Sequence, residues 1–424
     1  MKALQKRGNV MTMQKIEQEA GKAVIRGSCA SGFEGVAAAF AENFISRGEV
    51  GASVSITHEG KTVADLWGGH KAKDGAPWEE DTISIVFSCT KGAAALCAHM
   101  LADRGALDFN QPVKEIWPEF AVNGKEEATV GMMLDHSVGV PHIRAQLKDG
   151  AYYDWDYMTD LVAREEAFWK PGTRNGYHGV TFAWTVGEIV RRVAGKPLGQ
   201  FFQEEVAGPL GLDFWIGLPE DKEPRVAGMI NAPLDPEAPV GKFTQAILSD
   251  PASPSSLFLM NNGKADFNSR AAHEAEIGSA NGITNARGLA GMYAPLANGG
   301  TLGGVKLVSP EAVTRMSRVS MATREDATLL IPTRFGLGFM KSMDNRGETP
   351  GNQSSVILSE AAFGHVGMGG SIGFADPEAG MSFGYSMNQM GMGILLNERG
   401  QAVVDAAYRA IGYRTNEGGA WTRP

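Results

Sequence analysis

Residues 82–105 read TISIVFSCTKGAAALCAHMLADRG, and their hydrophobic period changes in mid-course. The first six residues, 82–87, are a β-branched and aromatic run of strand character. From Lys91 to Arg104 the apolar residues Leu96, Cys97, Met100 and Leu101 recur at helical spacing, and Gly105 closes the segment. A strand that turns into a helix at Ser88 places that serine at a helix N-terminus. Ser88-Cys89-Thr90-Lys91 is also the only Ser-x-x-Lys in the chain. One helical turn puts Lys91 on the face of Ser88, while backbone N–H groups and the positive dipole end point at the hydroxyl. A lysine facing an apolar core is pushed toward its neutral form, which a base requires. The structural alternative is an N-cap serine with a snorkelling lysine.

Upstream of this stretch, the spacing predicts a helix over 33–44 and a hairpin of strands over 52–57 and 62–67, joined by the turn residues His58-Glu59-Gly60-Lys61. The polar first 30 or so residues read as an arm outside the fold. Downstream, helical segments are expected over 130–134, 155–168, 181–194 and 197–207, followed by irregular loops over 217–280. Thr284 and Ser309-Pro310 carry N-cap signals. Strands return over 334–340, 371–375 and 381–387, with a turn at 376–380, and a helix over 395–411 ends the chain. Strands at both ends with helices between them imply an α+β fold: one antiparallel sheet built from both termini, with an inserted mainly helical region. The corresponding units are 30–110 with 275–424, and 111–274.

Composition narrows the function. The chain has 424 residues, 43% hydrophobic and 21% charged, which is ordinary for a globular protein. Thirty-nine Lys and Arg against 48 Asp and Glu leave a net charge of −9, without the basic stripe that nucleic acid requires. The three cysteines, Cys29, Cys89 and Cys97, lack the pairing and spacing of a disulfide framework or a zinc site. No signal peptide or membrane-spanning run is read, so a cytoplasmic enzyme is expected. The eight histidines lack ligand spacing, so no metal or other cofactor is expected.

Two further motifs stand out. Tyr177 lies in 169-WKPGTRNGYHG-179, between a Pro-Gly turn and a helix start, where its phenol can reach a cleft and a nearby lysine would favour phenolate. An anchoring aromatic is the alternative. The run 364-GHVGMGG-370 precedes a strand and either lets a ligand or a strand come close to the backbone or marks a β-bulge. A Gly-x-Ser-x-Gly match at Ser371 lacks the following helix and the downstream histidine of a nucleophile elbow. The aromatic stretch 151–157 is a candidate acyl-pocket wall or lid, and equally an aromatic loop packed on the helical region.

In this order, Ser88-x-x-Lys91, Tyr177-His178-Gly179 and His365-Val366-Gly367 resemble the serine β-lactamase and penicillin-binding-protein superfamily, most closely its class C-like branch, the family VIII carboxylesterases. The resemblance runs from about residue 30 to the C-terminus and includes 107–109, 134–139 and 208–211. It implies that Ser88 is acylated, that Lys91 is the base, and that Tyr177 relays a proton to the leaving alcohol. The backbone N–H groups of Ser88 and Met368 would form the oxyanion hole, and His365 and Gly367 would contact substrate, with a structural role as the alternative for His365. The lactamase pattern has Tyr-x-Asn and Lys-Thr-Gly. This chain lacks both that Asn amide and the carboxylate-binding lysine, so a small-molecule ester, with short acyl chains implied by the resemblance, is the expected substrate. A β-lactamase or D-amino-acid peptidase is the rival enzyme, and a catalytically silent scaffold the rival of another class. Oligomeric state is not legible.

Overall fold

The structure is a computed structural model and describes residues 12–73, 75–233 and 235–423. Seven strands form one antiparallel sheet: β1 (Met13–Ala20), β2 (Ala23–Ala30), β3 (Gly51–His58), β4 (Lys61–Gly69), β5 (Phe363–Val366), β6 (Ile372–Asp376) and β7 (Met381–Met387), in the order β1-β2-β4-β3-β7-β6-β5. The two termini meet where β3 pairs with β7, from Ala52 opposite Met387 to His58 opposite Met381. The hairpin β3–β4 turns through Glu59 and Gly60, both at positive φ (50° and 74°), as the right-handed strand twist demands.

The expectation of an N-terminal arm is corrected. Residues 13–30 form the edge hairpin β1–β2, with β2 paired to β4; residues 1–11 lie outside the described residues. An exposed edge strand buries little, so Met13–Ala20 keeps the polar composition that reads as an arm.

Helices cover both faces of the sheet. Helices α1 (Glu34–Ile45) and α5 (Glu398–Ala410) pack on one face, where Phe374 stacks on Phe383 (ring centroids 5.2 Å) and on Tyr408 (6.1 Å). On the other face α4 (Ala286–Ala297) sits so close that a Cβ on Gly384 would lie 2.3 Å from the Ala286 carbonyl oxygen. Alternation along β6 and β7 therefore sets aromatic side chains against glycines. Beneath α4 lies α2 (Thr90–Asp103), buried on every side from Thr90 to Leu101 and packed on α3 (Phe182–Ala194) of the helical region. A helix that is apolar all round belongs in a core.

Other boundaries move. The helix expected over 155–168 stops at Arg164, and 197–207 is a short helix, Leu198–Phe202, continued by a π turn. The strand expected over 334–340 is only Thr333–Phe335. The helix-capping residue of α4 is Asn285, whose side chain accepts the Gly288 N–H; Thr284 belongs to a two-residue strand. The capping serine at 309 does accept the Ala312 N–H. Among the described residues of 217–280, expected to be irregular, are three α-helices, Lys242–Ser249, Pro254–Met260 and Arg270–Glu274, and a 3₁₀ helix, Glu220–Arg225. Ser253 caps the second, with Pro254 at its first turn, a signal hidden in a Pro and Ser cluster.

Candidate active site

Ser88 sits in the turn between the short strand Ile83–Ile85 and α2. Phe87, immediately before it, has φ +43°, an uncommon left-handed value for a bulky residue, and this turn lifts Ser88 to the cavity surface while its neighbours are buried. The helix cap is Cys89 rather than Ser88, and the Ser88 carbonyl accepts the Lys91 N–H at 3.0 Å.

Lys91 is fully buried. Its Nζ lies 3.0 Å from Ser88 Oγ, 2.7 Å from the Gly179 carbonyl oxygen and 3.0 Å from that of Ser279. Burial pulls its pKa well below the ordinary lysine value. A neutral amine has two hydrogens and one lone pair; the two carbonyls take the hydrogens, and the lone pair faces the serine hydroxyl. The adjacent Cys89 thiol is buried and pushed up to about 12, so it is no competing nucleophile at neutral pH.

Tyr177 joins them. Its ring lies under Lys91 Nζ (4.8 Å to the centroid), and its hydroxyl interacts with that of Ser88. The expectation of a resting phenolate is corrected: burial raises the Tyr177 pKa, and an uncharged lysine offers little to oppose it. The phenol rests protonated. Asp326 fixes the tyrosine backbone, accepting the Tyr177 N–H at 2.9 and 3.1 Å. The same carboxylate accepts the N–H groups of Thr328 (2.8 Å) and Leu329 (2.9 Å) and the hydroxyl of Thr333 (3.3 Å). Sequence reading missed Asp326, because nothing in its loop marks a partner 149 residues away.

The glycine run brings β5 to this turn. A Cβ on Gly367 would lie 2.2 Å from both Ser371 Oγ and the Val86 carbonyl oxygen, so only glycine allows the approach. The chain then turns through Met368 and Gly369 (φ +89°), closed by Gly370 N–H to the Gly367 carbonyl at 3.0 Å. Among the described residues, neither the Ser88 N–H nor the Met368 N–H donates to a protein acceptor, and both residues line one cavity. Two free donors in the same cavity suit an oxyanion.

That cavity, of about 270 Å³, includes Ser88 and Tyr177; the rest of its wall is Phe, Leu, Met, Val, Ile and Gly, with no charged side chain. From this segment Val366 and Met368 line the cavity, and His365 and Gly367 lie beside them in the chain. His365 is buried, its Nδ1–H donates to the Val366 carbonyl oxygen at 2.7 Å, and its pKa falls to about 3, chiefly through burial. Ser371 is buried and donates to the Val86 carbonyl oxygen at 3.1 Å. The aromatic stretch 151–157 is misplaced as an acyl-pocket wall, since Tyr152, Tyr153 and Trp155 line a separate cavity of about 310 Å³ with Arg191 and Glu276.

The chain resembles known proteins over most of its length. The chain is 34% identical over 381 residues to the esterase/beta-lactamase LipL of Mycobacterium tuberculosis, covering 88% of this chain and 84% of that protein. A crystal structure of a family VIII carboxylesterase superposes with a TM-score of 0.79 at 38% identity, over 91% of this chain and 99% of that one. A penicillin-binding protein homolog from Caulobacter crescentus gives 0.80 at 33%, over 91% and 99%. Residues 32–408 match the Beta-lactamase family across nearly the whole fold, and the chain belongs to that family.

Proposed function

We propose that this protein is a cytoplasmic serine carboxylesterase that hydrolyses short-chain carboxylic esters through an acyl-enzyme on Ser88. The observation that carries the reading is the buried Lys91 amine, 3.0 Å from Ser88 Oγ, at the edge of a cavity without charged side chains. Three free, buried cysteines suit a reducing compartment. Kinship with proteins named esterase and family VIII carboxylesterase supports the ester specificity.

In the proposed reaction Ser88 Oγ attacks the ester carbonyl carbon while Lys91 Nζ takes the hydroxyl proton. The carbonyl oxygen becomes an oxyanion, which accepts the N–H groups of Ser88 and Met368; one such donor contributes about 100- to 1000-fold in rate. Collapse breaks the bond to the alcohol oxygen. That oxygen takes the Tyr177 phenolic proton, and the lysine ammonium returns a proton to the tyrosine. Water then adds to the acyl carbon by the same relay and releases the carboxylic acid and Ser88. A β-lactam or a D-alanyl peptide carries a carboxylate, and the cavity offers it no cation.

The test compares p-nitrophenyl butyrate with nitrocefin, using wild type and Ser88→Ala. Efficient ester turnover, weak nitrocefin turnover and loss of both in the variant support the reading. Preferential nitrocefin hydrolysis would replace it with a β-lactamase.

A further inference from the structure

Phe258, on the helix Pro254–Met260, is part of the wall of the Ser88 cavity. Its seat depends on Gly179. A Cβ at position 179 would lie 2.1 Å from Phe258 Cε2 and 2.4 Å from Cδ2, so a side chain there and this ring exclude one another. The Gly179 carbonyl is one of the two that hold Lys91 Nζ, at 2.7 Å. The ring also stands edge-on to Tyr177, with centroids 6.3 Å apart at 88°, and Phe243 backs it at 6.5 Å. One phenyl group thus touches the peptide that orients the amine, the ring of the phenol and the space left for substrate.

We propose that Phe258, seated in the space a side chain at 179 would occupy, is the specificity-determining residue of this site. It limits the length of the acyl chain, and it presents hydrocarbon at the place where a side-chain amide at 179 would present a donor and an acceptor. The substrate class that fits is an uncharged ester with a compact apolar acyl group. Polar or amide-bearing substrates lose hydrogen bonds to water against this ring and gain none in return. The proposal rests on the esterase reading above.

The experiment measures kcat/KM on p-nitrophenyl esters from acetate to decanoate for wild type, Phe258→Leu, Phe258→Ala, Gly179→Ala and the double variant Gly179→Ala/Phe258→Ala, with a thermal melt of each. Phe258→Ala is expected to raise the decanoate-to-butyrate ratio about tenfold or more, and Phe258→Leu by less, in line with the few-fold to hundredfold discrimination that apolar pockets achieve. Gly179→Ala displaces the ring and is expected to lower butyrate turnover about tenfold. The double variant should regain most of that loss, because the three atoms nearest to that Cβ all belong to the ring. An unchanged chain-length profile in folded Phe258→Ala and Phe258→Leu, or a double variant that shows only the product of the two single effects, would overturn the role of Phe258 while leaving the esterase reading intact. Failure of folded wild type to hydrolyse any ester would overturn both.

Discussion

Ser88 and Lys91, one helical turn apart, share a proton network with the distant Tyr177, and burial sets the protonation of the lysine and the tyrosine. Lys91 is pulled toward the neutral amine and Tyr177 is held as the phenol. The working form of Lys91 is the free base, so turnover is lost as pH falls through its depressed pKa and is retained above it. His178 and His365, both held near 3, and His136, which burial also lowers well below its ordinary value, are neutral at pH 7. The acid limb of the kcat/KM profile should therefore survive in His365→Asn; a limb that disappears with this histidine would assign the base elsewhere. Lys91→Arg puts a cation that does not deprotonate in place of the neutral amine, and a fall in kcat of about 10²- to 10⁴-fold is expected with an unchanged circular dichroism spectrum. Tyr177→Phe should lose about 10²-fold or more in kcat, and near-normal turnover would exclude the relay. Ser88 and Lys91 were legible in the sequence because their spacing is local to one helical turn. The phenolate expected of Tyr177 was misread because its pKa depends on burial, which spacing does not encode.

At the scale of elements, the site depends on how α2 is seated. A Cβ on Gly92 would lie 2.1 Å from the hydroxyl oxygen of Tyr293 on α4, so glycine at this point lets the two helices meet. Gly92→Ala should destabilise the protein by about 1–3 kcal/mol in urea unfolding and lower kcat by shifting Ser88 and Lys91. Among the described residues the buried Tyr293 hydroxyl has no hydrogen-bond partner, so Tyr293→Phe should cost little, and combined with Gly92→Ala it should restore most of the loss. If the double variant is no better than Gly92→Ala alone, this overlap does not set the position of the helix. Asp326 serves Tyr177 in the same way through backbone, and Asp326→Ala should cost about 3 kcal/mol by leaving buried N–H groups unpaired. Long elements with a strong period were readable: α1, α2, α3 and the hairpin β3–β4 lie within a few residues of expectation. Short strands such as Thr333–Phe335 and the short helix Pro254–Met260 were not, because so few residues carry too little pattern to separate them from loop chemistry.

For the whole molecule, the sheet joins segments more than 300 residues apart, and a buried ion pair secures the joint. Arg399 at the start of α5 donates to Glu49 Oε1 at 2.9 Å, and the Tyr385 hydroxyl donates to the other carboxylate oxygen. Removing one partner leaves a buried charge uncompensated, so Arg399→Ala should lower unfolding free energy by about 3–5 kcal/mol in denaturant titration. A loss under 1 kcal/mol would mean that apolar packing alone holds the termini together. The two-ended sheet was legible because strand patterns cluster at the two ends of the chain, and the ordered motifs then pointed to the family. The apolar lining was not, since Phe258 and Met392 reach the Ser88 cavity from loops and short helices that no periodicity links to Ser88. The central claim is that Ser88 is the activated nucleophile of the molecule. Intact mass after incubation with a fluorophosphonate tests it most directly: wild type should gain a single adduct that Ser88→Ala does not form, whereas an adduct persisting in Ser88→Ala, or none on wild type, would contradict it.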